Sequence, residues 1–365
     1  MKRLARLLVV LSAAACGGTG VASAHVDYVT DGPAGSKSFA ELLGGVAAAP
    51  LNLLLLVGGG AAAAGTAVAY LRYADRLTDV RVGIRTLRSY RPYLPWMLRL
   101  SMGLPLVGAG FAGYYFSPSI PVEARLLQVF VGFMLLFGLA TRLVAAVGLI
   151  AYLVGLAAHF PTMLLASEYI PGLLAIVALG PGQPSADMLL RRITVTDGTA
   201  LSRFRDAPTP GELFARAGLT HEIVPTVVRV GLGLNFAYLG VTQKWLQPGR
   251  GLAVVEQYDL TAVVPVAPEL WVFGAGLAEL AVGVLLVAGC FTRGAAAVGF
   301  VLFTTTLFGL PNDPVLAHVT LFGLSSALLV TGSGPYALDS RVIPRLHRRL
   351  AGTVEEPTGQ AAGGD

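Results

Sequence analysis

Long apolar runs separated by short polar segments organise the chain, and the runs have the length of helices rather than strands. Nine of them lie approximately at 51–71, 96–116, 123–140, 142–160, 163–180, 225–246, 269–290, 293–311 and 314–331. About 20 residues of α-helix, rising about 1.5 Å each, cross a hydrocarbon layer of roughly 30 Å. A helix also satisfies its backbone donors and acceptors internally, which lipid demands. The pattern therefore predicts an all-α, polytopic transmembrane protein with nine spans. The run at 123–140 is short, with Glu123 and Arg125 at its start, which leaves its outer edge open.

Residues 1–24 carry Lys2, Arg3 and Arg6, then an apolar stretch from Leu7, then Ala22-Ser23-Ala24. That order predicts a signal peptide cleaved after Ala24, with His25 outside the cell. Positive charge gives the orientation independently, because arginines concentrate on the cytoplasmic side. Arg72, Arg76, Arg81, Arg85, Arg88 and Arg91 fill the loop after the first span, Arg191, Arg192, Arg203, Arg205 and Arg216 a second loop, and Arg341, Arg345, Arg348 and Arg349 the tail. All fall on one side if the mature N-terminus is outside and the C-terminus cytoplasmic, the arrangement of a multi-pass plasma-membrane protein.

Composition strengthens the membrane reading and removes other classes. Of 365 residues, 55% are hydrophobic and 13% charged, against roughly 25% charged in an average soluble domain. The 45 glycines suit close packing between transmembrane helices. A net charge of +5 distributed in blocks between spans is a topology signal, so no nucleic-acid partner is expected. Of the two cysteines, Cys16 lies in the leader, leaving Cys290 without a resolving thiol. The histidines at 25, 159, 221, 318 and 347 lack metal-ligand spacing, and no metal site is expected. Gly108 to Gly113 fits G-x-G-x-x-G but sits inside a span, where no strand precedes it.

The chain also resembles itself. Arg99-Leu-Ser-Met-Gly-Leu aligns with Arg229-Val-Gly-Leu-Gly-Leu at a shift of 130, and the stretch from Gln128 to Arg142 aligns with that from Glu279 to Arg293 at 151. Gly180-Pro-Gly182 then matches Gly332-Ser-Gly334. This predicts two tandem four-helix bundles in the same orientation, 96–182 and 225–340. Around them lie an external segment, one helix and a basic loop at 25–95, a cytoplasmic linker at 183–224, and a tail at 341–365 whose end is expected to be disordered.

The landmarks Arg99, Arg142, Arg229, Arg293, Gly283 and Gly289, with Lys244, Glu279, Thr292, His318 and Gly332-Ser-Gly334-Pro335, resemble the DoxX family of small four-helix membrane proteins. The second unit carries the resemblance well and the first unit more weakly. The resemblance implies an accessory role in a membrane redox complex, with quinone as the implied cofactor and other membrane or redox subunits as partners besides the lipid bilayer. No stand-alone enzyme is expected.

Helical rise places Lys244, Glu279 and His318 at one depth, roughly 21 to 23 Å from the arginine-bearing face, with Thr305 on the neighbouring span in nearly the same layer. Ionisable groups are costly in lipid and face partners or cavities. These four residues are therefore the candidate ligand-binding site. The aligned positions of the first unit are Tyr114, Gln128 and Ala166, all uncharged, although Glu168 could stand in for His318. The residues leave three functions open: a redox-complex component, a binder or transporter of a small solute, and a structural or assembly protein. The loop 247–268 is open between a membrane-surface segment and a lid over the site.

Overall fold

The computed structural model describes residues 35–123, 125–206 and 210–346. The expected leader and the tail beyond residue 346 lie outside the described residues.

Each of the nine apolar runs carries a helix. Before them comes α1 (Phe39–Ala48), opened by a capping box in which Ser38 accepts from the Glu41 backbone and Glu41 from that of Ser38. Helix α2 (Pro50–Tyr73) follows, then the basic α3 (Thr78–Ser89). The first unit is α4 (Leu94–Ala112), α5 (Leu126–Phe137), α6 (Thr141–Ala158) and α7 (Tyr169–Leu179). Two polar helices, α8 (Ala186–Val195) and α9 (Pro210–Arg216), lead to the second unit. That unit contains α10 (Val224–Leu239), α13 (Pro268–Ala288), α14 (Thr292–Gly309) and α15 (Val315–Thr331), with α11 (Pro248–Gln257) and the short α12 (Leu260–Val263) inserted after α10. A final short helix is α16 (Leu338–Arg341).

The protein is an all-α membrane protein. By length and composition, the stretches Pro50–Tyr73, Thr141–Ala158, His221–Trp245 and Pro268–Ala288 suffice to cross a bilayer. Others are shorter than their apolar runs. The 123–140 run is helical only over Leu126–Phe137, and the 163–180 run opens with a 3-10 turn at Thr162–Ala166. The run at 96–116 ends early because Gly113 turns left-handed at φ 86°. The chain then forms a small antiparallel hairpin, β1 (Tyr114–Tyr115) against β2 (Ser117–Pro121), which hydropathy alone does not predict. The outer surface is apolar, as lipid contact requires: Leu54, Val57, Phe111, Leu126 and Phe308 are all strongly exposed.

Glycines set the tightest helix crossings. A Cβ placed on Gly233 would stand 2.7 Å from the Gly283 carbonyl oxygen, and one on Gly283 would stand 2.6 Å from that of Gly233. The aligned glycines of the first unit, Gly103 and Gly132, approach each other in the same way, at 3.0 and 2.8 Å. Backbone cannot move aside as a side-chain tip can, so Gly283→Ala is expected to cost about 1–3 kcal/mol through overpacking. Gly274→Ala on the same helix has open space around it and is expected to be neutral or slightly stabilising. Thermal unfolding of the two variants in detergent checks the contrast.

Other contacts recur between the halves at offsets that agree to within one residue. Arg142 donates to the carbonyls of Val177 and Leu179, and Arg293 to those of Leu329 and Val330. The Asp187 carboxylate accepts from the backbone of Ala140 and Thr141, and the Asp339 carboxylate from that of Phe291 and Thr292. Both aspartates thereby hold a non-glycine residue in the left-handed region, Ala140 at φ 49° and Phe291 at φ 51°. The contacts between halves are reciprocal. The closest neighbour of Gly323 is Ser101, and that of Gly231 is Pro171. These are aligned positions exchanged across the interface, the pattern of a two-fold contact.

Candidate functional site

The site begins where α10 changes pitch. Residues Gly240–Trp245 continue the helix as a π-helical turn, a widening that often marks functional positions. Gly240 allows the approach: a Cβ there would lie 2.8 Å from the carbonyl oxygen of Gly276 on α13. This close crossing brings Lys244 Nζ to 2.8 Å from Glu279 Oε1, with both side chains only about a quarter or less exposed.

His318 joins this pair through a residue that the sequence pattern did not single out. Asp313, in the turn between α14 and α15, places Oδ2 3.5 Å from His318 Nε2, and both side chains are almost fully buried. The other ring nitrogen of His318 lies 3.4 Å from the Pro314 carbonyl oxygen. The charge of Lys244 also acts on Asp313, so the two pairs form a network coupled through charge rather than through a bond between them. Burial pushes the Asp313 carboxyl above its usual range, against the opposing pull of His318 and Lys244. Two oxygens in the network, Glu279 Oε2 and Asp313 Oδ1, are buried and receive no hydrogen bond. Thr305 does not join it: the side chain is exposed, and its hydroxyl donates to Val301 and Leu302 of its own helix.

An apolar cover lies beside the pair. Trp245, next to Lys244, stacks on Phe273 at 5.4 Å and meets Phe39 of α1 at 5.7 Å. Leu42 of α1, Val255 of α11 and Val272 of α13 complete the cluster. The segment 247–268 thus packs against α13 and the π-helical turn. Lys37 ties α1 to Glu269 at 3.3 Å.

In the first unit the equivalent place is neutral. Gln128, aligned with Glu279, is buried, and its amide donates to the Tyr114 carbonyl and accepts from the Phe116 backbone, both at 3.2 Å. Tyr114 is the position aligned with Lys244. An ion pair in one unit is therefore an amide holding a hairpin in the other.

Glu168 does not substitute for His318 within the first unit. It lies buried at the contact between the halves, where Asn235 and Thr320 donate to its two oxygens at 3.3 and 3.2 Å. Beside it is a cavity of about 20 Å³, also lined by His318, Tyr114 and Tyr169. That space suits about one water. Replacing Glu168 by leucine removes an acceptor from Thr320 and Asn235, and is expected to lower stability by about 1–3 kcal/mol in a detergent melt. Glu168→Gln keeps one acceptor and is expected to lose less.

At the arginine-rich end is a wide cleft of about 930 Å³ touching Arg142, Asp187, Arg191 and Arg205. Arg142 and Asp187 are already bonded to backbone there, so the convergent chemistry lies in the second unit's network.

Comparison with known proteins agrees on that unit. The DoxX family model matches residues 224–312. No curated protein and no solved structure matches the chain. The match takes in Lys244, Glu279, Gly283, Gly289 and Arg293 and ends one residue before Asp313. The DoxX likeness thus covers residues 224–312 of a membrane protein in contact with the lipid bilayer.

Proposed function

We propose that this DoxX-type integral membrane protein is an accessory subunit of a membrane redox complex that holds a hydroquinone between Lys244, Glu279, Asp313 and His318. One observation carries the reading: Glu279 Oε2 and Asp313 Oδ1 are buried acceptors without donors. A buried oxygen left unpaired is costly, and a hydroquinone presents two hydroxyl donors. Lys244 and His318 hold the opposite oxygens of the same carboxylates, fixing their orientation. Oxidation of the ligand to a quinone releases two protons and two electrons. The carboxylates are placed to take the protons, and the electrons pass to a redox partner subunit.

The same proposal includes nine spans, a plasma-membrane location, an external N-terminus and a cytoplasmic C-terminus. It is supported by the arginines gathered at one set of helix ends. A reporter fused after Leu346 is expected to read as cytoplasmic, and an external reading overturns the orientation. The tandem four-helix units are proposed to descend from a duplication, supported by the recurring arginine, aspartate and glycine contacts.

Gentle purification followed by mass analysis of bound small molecules and proteins tests the assignment. A co-purifying quinone, lost in Glu279→Gln, is expected. Neither quinone nor electron-transfer protein in repeated preparations contradicts it.

A further inference from the structure

The segment from the last turn of α2 through α3 to Arg91 contains Arg72, Arg76, Arg81, Arg85, Arg88 and Arg91, with Asp75 and Asp79 as its only acids. Nothing in the hydroquinone reading uses them. Most of this segment is α3, which has two adjacent stripes. Val80, Ile84 and Leu87, at i, i+4 and i+7, are half-buried, and α3 packs against α15. Arg81, Arg85 and Arg88 repeat the same spacing about 100° further round and are exposed.

None of these three arginines pairs with a described carboxylate. Arg81 reaches only the Thr78 hydroxyl, at 3.4 Å. Like charges at i, i+4 oppose one another. Moreover, Arg88 and Arg91 both repel Arg293, whose guanidinium sits at the end of α15, while Arg91 donates to the Thr331 carbonyl there. The helix thus presses positive charge onto positive charge, which an external anion would relieve.

The surroundings specify which anion. Tyr70, Tyr73, Tyr90, Tyr93 and Trp96 flank α3 and are between 37% and 53% exposed. Amphipathic rings left exposed at a helix end are the signature of the lipid headgroup layer. Arg72 and Arg76 both lie 5.9 Å from the Tyr73 ring, so their charge is carried at the same level. We infer that α3 and its flanking turns form a docking surface for anionic phospholipid headgroups, centred on Arg81, Arg85 and Arg88. An arginine cluster directly beside a membrane-crossing helix has the charge complement of such lipids. The inference needs α2 to cross the membrane, and it is independent of any ligand at Lys244.

The test is native mass spectrometry of the full-length chain in detergent, with phosphatidylglycerol or phosphatidylcholine added at equal concentration. The wild type is expected to retain phosphatidylglycerol preferentially. In a combined Arg81→Gln, Arg85→Gln, Arg88→Gln variant its binding should fall on the order of 100-fold, from about fivefold per arginine near an anionic surface. None of the three substitutions touches a backbone carbonyl, and an unchanged melting temperature confirms folding. The single Arg85→Gln variant should show about one fivefold step. Exposed Arg191→Gln with Arg192→Gln, on α8, should leave binding unchanged. Equal retention of the two lipids, an equal loss in the α8 variant, or displacement of the lipid by inorganic phosphate at comparable concentration overturns the inference.

Discussion

Arg229→Leu is expected to destabilise the protein by about 5 kcal/mol, enough to consume most of the margin of an ordinary fold. Arg229 is 3% exposed, and its guanidinium donates to the carbonyls of Leu286, Val287, Ser333 and Tyr336. These belong to the end of α13 and to the turn after α15, so one side chain closes three segments of the second unit. Leucine fills part of the volume but leaves four carbonyls without their donor, and each bond to a charged group is worth about 1.5–3 kcal/mol. Lysine cannot rescue it, because a single ammonium does not reproduce the fork of the guanidinium. The aligned Arg99 is the control. It donates to the Pro184 carbonyl, while its Nε and Nη1 are buried without acceptors. Arg99→Leu is therefore expected to cost less than half as much. Denaturant titration in detergent decides, and an Arg99 variant as damaged as the Arg229 variant contradicts the bonding pattern.

The second large effect is at Lys244 and Glu279. Removing one partner of a buried pair leaves an uncompensated charge and costs about 3–5 kcal/mol. The residual exposure of these side chains, 24% and 20%, places the expected cost near 3 kcal/mol. Lys244→Met and Glu279→Gln should each lower the melting temperature clearly, whereas the double variant should recover much of the loss. The coupling is the sign of the pair, and single effects that add to the double remove it. Asp313 also feels Lys244, so Lys244→Met should be the more damaging single change. Gln128→Ala probes the first unit, where only hairpin contacts are lost.

The fold was largely legible because lipid imposes one constraint on every span, and apolar length reports it directly. Arg142 and Arg293 were legible for the same reason, as charges at fixed distances from the run ends. Depth along a helix was legible too, and it brought Lys244 and Glu279 into one layer. Rotation about the helix axis was not, which is why Thr305 shares the layer but engages its own helix. The π-helical turn under Lys244 shifts that rotation by a local change of pitch that no residue pattern announces. Asp313 lies in a turn, and Asp187 and Asp339 in the first turns of the short helices α8 and α16; all three are beyond the runs, where an aspartate reads as a solvated residue. Only the fold shows them accepting backbone or imidazole bonds. The hairpin at 114–121 hid behind Tyr114, Tyr115 and Phe116, which prolong the apolar run past the Gly113 stop.

Whether the network of Lys244, Glu279, Asp313 and His318 is a binding site or a structural ion pair is decided by titrating a short-chain hydroquinone into three proteins of verified fold: wild type, the Lys244→Met, Glu279→Gln double variant, and Asp313→Asn. Saturable binding to the wild type is predicted, weaker by about ten- to a hundredfold in both variants, the loss of one or two bonds to charged acceptors. Equal binding by all three proteins, or none by the wild type, contradicts the account and leaves Lys244 and Glu279 as a structural pair.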